Sequence, residues 1–257
     1  TAIAEEAGYA PGTNGYAGTV LTAVIGNFTT SYAILPANLV NVIVLGAGEG
    51  LFGPQLRYAE YLLLCGPVLG CVKGATFLVL AALLFPAPPP ARPTDTAPLP
   101  LSNAARRLGA VLAVTVALWA TDSIHGLKPG WIAIGAGILC LLPPIALVGL
   151  RESFDLNRLT AVIAVPAVLG VAAVLTHSGA GRVIAVTMTD VVPLAGQSAA
   201  VGFSAVALMS SLVALIATIV GSIAIVTPLL ADVGHATGLP VKLGLVAEIA
   251  GLQAVFF

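Results

Sequence analysis

Few side chains in this sequence could do chemistry, and those that could sit inside apolar runs. The first group lies in the segment Gly18 to Leu45, where Thr29-Thr30-Ser31 is followed by Ile34-Leu35-Pro36-Ala37-Asn38 and then by Asn41. Pro36 has no amide hydrogen and frees a carbonyl one turn back, while Asn38 and Asn41 can either repair the backbone or recruit a ligand. A helix broken at membrane depth presents N–H groups to an anion and bare carbonyls to a cation. An ordinary proline kink with its backbone repaired is the competing reading. The expected break runs from Ala37 to Asn41. The second group is Thr218, Gly221, Ser222, Thr227 and Pro228 in the run Ala199 to Leu230. That run is too long for one comfortable span, so it reads as a span leading into a hairpin that turns at about Thr218 to Ser222. A single tilted helix whose hydroxyls bond back to their own carbonyls is the alternative.

Two charges lie deep in apolar runs, Lys73 within Ala59 to Phe85 and Glu248 within Val241 to Phe257. Each is costly there and marks a functional suspect. Lys73 can instead snorkel to an interface or pack towards a water-filled vestibule. Glu248 is either a titrating group or one half of a structural ion pair or hydrogen bond. No Arg or Lys cluster exists to hold a divalent anion by charge, so helix ends, hydroxyls and bound cations would have to attract one. His125, His177 and His235 fall near span ends without metal-ligand spacing, and Cys65, Cys71 and Cys140 read as small buried side chains. No phosphate loop, nucleophile elbow or zinc motif is present. Neither an enzyme nor a cofactor is expected.

The elements that must position these residues follow from composition. The chain is 58% apolar and 8% charged, with a mean hydropathy of +1.05, whereas a soluble domain carries about 25% charged residues. Apolar runs near the ~20 residues needed to cross a bilayer recur at Gly18 to Leu45, Ala59 to Phe85, Leu108 to Ala120, Trp131 to Leu150, Leu159 to Leu175, Ala199 to Leu230 and Val241 to Phe257. Runs this long exceed strand length, so the expected fold is all-α and polytopic, and a β-barrel is not. A net charge of −1 argues against a nucleic-acid surface. With Thr1 at the start, Phe256-Phe257 ending an apolar run and no signal-peptide pattern, the chain reads as a piece of a longer protein.

Pro86 to Asn103 forbids a helix with seven prolines, from Pro86 to Pro100, and reads as a linker. Arg92, Arg106 and Arg107 beside it, and Arg151 and Arg158 in the loop two spans later, place both on one side. By the positive-inside rule that side is cytoplasmic, and the loops Gly46 to Arg57 and Asp122 to Lys128 then face outward. Gly66, Gly70 and Gly74 recur every four residues and suit close helix packing. A short pattern also occurs twice. Ala4-Glu5-Glu6-Ala7-Gly8, then Pro11 and a helix through Gly26 to Tyr32, parallels Leu230-Ala231-Asp232-Val233-Gly234, then Pro240 and a helix through Gly251 to Phe257. The copies approach the membrane from opposite sides if Ala199 to Leu230 is a span plus a re-entrant hairpin. That is the signature of an inverted repeat, common in secondary transporters.

The stretch Trp119-Ala120-Thr121-Asp122-Ser123-Ile124-His125-Gly126-Leu127, with Pro129 and Trp131, resembles the start of the second repeat in the divalent anion sodium symporter family of dicarboxylate, citrate and sulfate carriers. Ile34 to Asn38 looks like that family's motif in the first broken helix, and the run ending at Pro228 looks like its second re-entrant hairpin. The resemblance implies a sodium-coupled elevator carrier, a homodimer in the bilayer of the inner (plasma) membrane, taking a small anionic substrate. Pro36 and Asn38 match the first motif. At the hairpin tip the family's Ser-Asn-Thr falls on Thr218-Ile219-Val220, which loses an amide and a hydroxyl. The expected organisation is 1–85 as the end of the first repeat, 86–103 as linker, 104–178 as second-repeat scaffold, and 179–257 as the second hairpin and the start of the second broken helix. The candidate binding residues are Pro36, Asn38, Asn41, Thr218 and Ser222, with Glu248 as a possible titrating group. The alternatives are a proton-coupled antiporter of a related family and a transport-inactive membrane scaffold.

Overall fold

A computed structural model of the chain describes residues 2–54, 56–88, 102–142 and 194–254, together with Gly170, Val174 and Ser178. The expected span Leu159 to Leu175, the loop arginines Arg151 and Arg158, His177, and most of the linker 86–103 with Arg92 fall outside them. Among the described residues the structure is helical and contains no strand. Three helices are long and apolar enough to cross a membrane: Tyr58–Leu84, Ala199–Ile216 and Ile219–Thr237. The first two carry large apolar side chains on their outer surface, Leu63 at 76%, Leu83 at 71% and Ile216 at 90% exposure, whereas Ile223, Val226 and Leu230 of the third are buried. A soluble protein rarely exposes apolar surface on this scale, and hydrocarbon accepts it without cost.

The described residues of Thr1–Ala37 and Tyr58–Val148 form one compact unit, and those of Asn38–Arg57 and Gly149–Phe257 form a second. In the first unit, α1 (Ala2–Glu6) ends near Gly8, whose φ of +89° suits glycine. The Thr13 hydroxyl then caps α2 (Asn14–Leu21) by accepting the Tyr16 N–H. A π turn (Thr22–Gly26) carries α2 into α3 (Asn27–Ser31).

Later in this unit, α5 (Tyr58–Cys65) continues through a π turn (Gly66–Val72) into α6 (Lys73–Leu84). Pro67 brings no N–H to the ladder, and the helix accommodates it by widening. A Cβ on Gly70 would lie 3.1 Å from the Ala33 Cβ, and one on Gly74 3.5 Å from the Thr30 methyl. Gly66 meets only Leu62 of its own helix. Gly70 and Gly74 therefore make the expected close approach and Gly66 does not, because the π turn rotates it off that face. Cys65 is buried as expected, but Cys71 is exposed and Cys140 half-buried. In this unit α7 (Asn103–Ala120), capped by Ser102, packs on α5 and on α9 (Pro129–Leu141), with the short α8 (Asp122–His125) between them in sequence.

The second unit contains α4 (Leu39–Phe52), α10 (Ala199–Ala217), α11 (Ile219–Val226), a 3-10 turn (Thr227–Leu229), α12 (Leu230–Thr237) and α13 (Val241–Leu252). The expected loop from Gly46 to Arg57 is corrected here, since α4 continues to Phe52. Gly48 allows approach rather than a turn, since a Cβ there would sit 2.8 Å from a methyl of Leu245 on α13. Helices α10 and α13 approach more closely still, because a Cβ on Gly251 would strike the backbone of Ala207. The Ser211 hydroxyl donates to the Gly251 carbonyl at 2.7 Å across that contact.

Candidate functional site

The break after α3 is real and lies further upstream than expected. Thr29, Thr30 and Ser31 donate their hydroxyls to the carbonyls of Ile25, Gly26 and Phe28, which closes α3 rather than opening a site. Tyr32 to Ile34 then turn, and Leu35–Ala37 forms a single 3-10 turn around Pro36. In the first unit the buried Tyr61 hydroxyl donates to the Tyr32 carbonyl at 2.5 Å and fixes the end of the broken helix. Asn38 is extended (φ −130°, ψ 129°), and its Oδ1 accepts the Val40 N–H at 2.9 Å. The irregular stretch is therefore Tyr32 to Asn38 and not Ala37 to Asn41. Asn is among the best N-cap residues, so the helix restarts at Leu39 and Asn41 is helical. Asn41 is completely buried.

At the hairpin, α10 and α11 pack together on either side of Thr218. The turn is Thr218 alone, at φ 109° and ψ 159°, and its hydroxyl accepts the Gly221 N–H at 3.1 Å. The expected turn Thr218 to Ser222 is corrected to this one residue. A side chain that caps the next helix needs no longer loop, so Gly221 and Ser222 belong to α11. Ser222 is fully buried and donates to the Ser210 carbonyl at 3.0 Å, tying the two arms together.

Glu248 on α13 is fully buried, and the Thr227 hydroxyl lies 3.0 Å from each of its carboxyl oxygens. Of its expected roles, the structure shows a hydrogen bond to a neutral partner and no ion pair among the described residues. Helix α4 packs on α11, on the 3-10 turn and on α13. The second unit thus gathers the elements that carry Asn38, Asn41, Thr218, Ser222 and Glu248, while Pro36 belongs to the first.

Asp122 was not singled out by sequence alone as a positioning group. It is buried, and its Oδ2 accepts the Tyr58 N–H at 2.7 Å. Nearby, the rings of Tyr58 and Trp119 lie 6.4 Å apart, and the Trp119 indole donates to the Pro129 carbonyl. His125 Nδ1 accepts the Leu127 N–H, which leaves Nε2–H to donate to the Leu118 carbonyl at 2.8 Å. The Trp119 to Trp131 stretch is thus a corner that ends α7 and caps α5. An open groove of about 630 Å³ lined by Tyr9, Gly18, Thr22, Ala82 and Phe85 contains none of the candidate residues. No group of acidic, His or Cys residues able to hold a metal occurs among the described residues. Comparison with known protein families finds no match, and comparison with curated proteins finds none either.

Proposed function

We propose that the chain is part of a secondary active carrier of small divalent anions such as dicarboxylates or sulfate, built as an inverted repeat and working as an elevator. The observation that carries this reading is the break from Tyr32 to Asn38 in an otherwise apolar chain. Irregular backbone at membrane depth persists only where protein or a water-filled cavity receives its polar groups. The break ends at the N-terminus of α4, whose first N–H groups and dipole favour an anion. A hairpin with a one-residue tip supports the same architecture, since two packed arms can enter a membrane and return.

In support of a repeat, Gly8 (φ +89°) and Gly238 (φ +72°) each precede a proline and an apolar helix, Pro11 with α2 and Pro240 with α13. The bond from Tyr58 to Asp122 puts the start of α5 and the end of α7 at one level, in keeping with loops on a shared side. Arg92, Arg106 and Arg107 support a cytoplasmic location for the opposite side. A cysteine at Asp95 should then resist impermeant thiol reagents added outside intact cells. A homodimer and sodium coupling come from the family resemblance. The antiporter alternative leans on the buried Glu248.

The test is uptake of radiolabelled succinate and sulfate by the full-length protein in liposomes. Saturable uptake of either anion is expected. No uptake or exchange of both would leave the transport-inactive scaffold as the better reading.

A further inference from the structure

We infer that Glu248 and the Thr227 hydroxyl form a proton-binding site through which a proton gradient drives the carrier. This rests on the carrier reading above and names its coupling ion. Glu248 has no accessible surface, and Thr227 is 1% exposed. A carboxylate taken wholly out of water is strongly disfavoured unless a cation or several donors compensate it. Here the compensation is one hydroxyl, 3.0 Å from both oxygens.

No cation pairs with Glu248 among the described residues. Helices α10 and α11, which pack on α13, contain no ionisable side chain. Helix α4 contributes Glu49, α12 contributes Asp232 and His235, and α13 itself carries Lys242. None of the four pairs with Glu248 among the described residues.

Thr227 suits both protonation states. A hydroxyl accepts from a carboxylic acid and donates to a carboxylate, so the contact survives gain or loss of the proton. A methyl in that place would serve neither state. Thr227 begins the 3-10 turn that ends the returning arm of the hairpin. Charging Glu248 therefore acts on the junction between that arm and α13.

The hairpin tip offers a cation few side-chain ligands. Ile219 and Val220 bring no side-chain oxygen, and the remaining Thr218 hydroxyl accepts the Gly221 N–H. In the coupled step, hydronium on one side passes a proton to the Glu248 carboxylate, leaving water and a neutral acid. On the other side water takes the proton back and the carboxylate is restored. Each proton offsets one of the two charges of the anion. The exchange requires a state of the cycle in which water reaches Glu248, as ionisable groups within proton-coupled transporters require.

The experiment uses the full-length protein in sodium-free liposomes at zero membrane potential, with succinate and sulfate as probes. A pH one unit lower outside should raise accumulation about tenfold for one proton per anion. Glu248→Gln keeps the shape and a hydrogen bond, so it should lose gradient-driven accumulation and keep anion exchange. Infrared difference spectra should show a carboxylic acid band in the wild type that Glu248→Gln removes and Thr227→Val shifts. Wild-type accumulation that ignores the proton gradient, or a Glu248→Gln protein that still follows it, would overturn the inference. If neither anion is carried, the carrier reading fails and the infrared band decides the proton site alone, its absence sinking it. Should Glu248→Gln not insert, the wild-type gradient response decides.

Discussion

The Oδ2 of Asp122 accepts the backbone N–H of Tyr58 at 2.7 Å, although the two residues stand 64 apart in the sequence. Tyr58 is the first residue of α5, and its N–H is one of four that a helix cannot satisfy internally. The bond therefore caps one apolar helix with the end of another. The second oxygen, Oδ1, is buried without a hydrogen-bond partner among the described residues. Asp122→Ala should cost about 1 to 3 kcal/mol by stranding the Tyr58 N–H. Asp122→Asn retains an acceptor for it and should stay within about 1 kcal/mol of wild type. Equilibrium unfolding in mixed detergent micelles separates the two. Equal losses would mean that the charge, and not the acceptor, holds the corner.

Sequence alone reached the class of fold because composition and run length decide it, and it reached the break and the hairpin because Pro36 and an over-long apolar run are local signals. Boundaries were less legible. The capping power of Asn38 and Thr218 lets each helix restart at once, and a reading weighted towards caps would have ended the first irregular stretch at Asn38 and shortened the second to Thr218. The run Gly46 to Gly50 resembled a loop, yet Gly48 serves contact with Leu245, which only packing reveals. The pairs Asp122 with Tyr58, Tyr61 with Tyr32, and Thr227 with Glu248 left no periodic trace. Their separations of 64, 29 and 21 residues are set by how helices meet.

Asn38 performs two tasks that substitution can separate. Its Oδ1 caps α4 through the Val40 N–H, and its position marks the end of the break. Asn38→Ala should destabilise by about 1 kcal/mol, as loss of an N-cap does. It should also lower anion uptake more than tenfold in the full-length protein, because the N-terminus of α4 then loses its fixed start. Asn38→Ser keeps the cap and should restore stability. If Ser restores uptake as well, Asn38 repairs the backbone and does not touch the anion.

Gly251 determines how closely α10 and α13 approach. A Cβ there would lie 2.8 Å from the Ala207 carbonyl carbon, and backbone cannot step aside as a side chain can. Gly251→Ala should cost about 1 to 3 kcal/mol by overpacking. Gly135, on α9, has open space at the same position, and Gly135→Ala should be neutral or gain up to about 1 kcal/mol from helix propensity. Thermal unfolding of the two variants in one detergent provides the comparison. A Gly251→Ala protein as stable as wild type would show that the helices can part there.

Thr218 holds a backbone conformation that glycine adopts freely and other residues adopt at a cost. Its φ of 109° and ψ of 159° lie in a region where strain is about 1 to 3 kcal/mol for a residue with a Cβ. The strain persists because the α10 and α11 arms pack on either side of it and because its hydroxyl caps Gly221. Replacing a threonine cap by glycine loses only a few tenths of a kcal/mol, so Thr218→Gly should be net stabilising by about 1 kcal/mol. Thr218→Val keeps the strain, loses the cap, and should destabilise by about 1 kcal/mol. Thr218 also carries the last side-chain oxygen at a tip where Ile219 and Val220 supply none. Any sodium dependence of uptake should therefore be shallow, with a Hill coefficient no greater than about one, and Thr218→Gly should leave accumulation driven by protons intact. Steep, multi-ion sodium dependence that survives Thr218→Gly would place the cation ligands elsewhere in the chain and detach the tip from coupling.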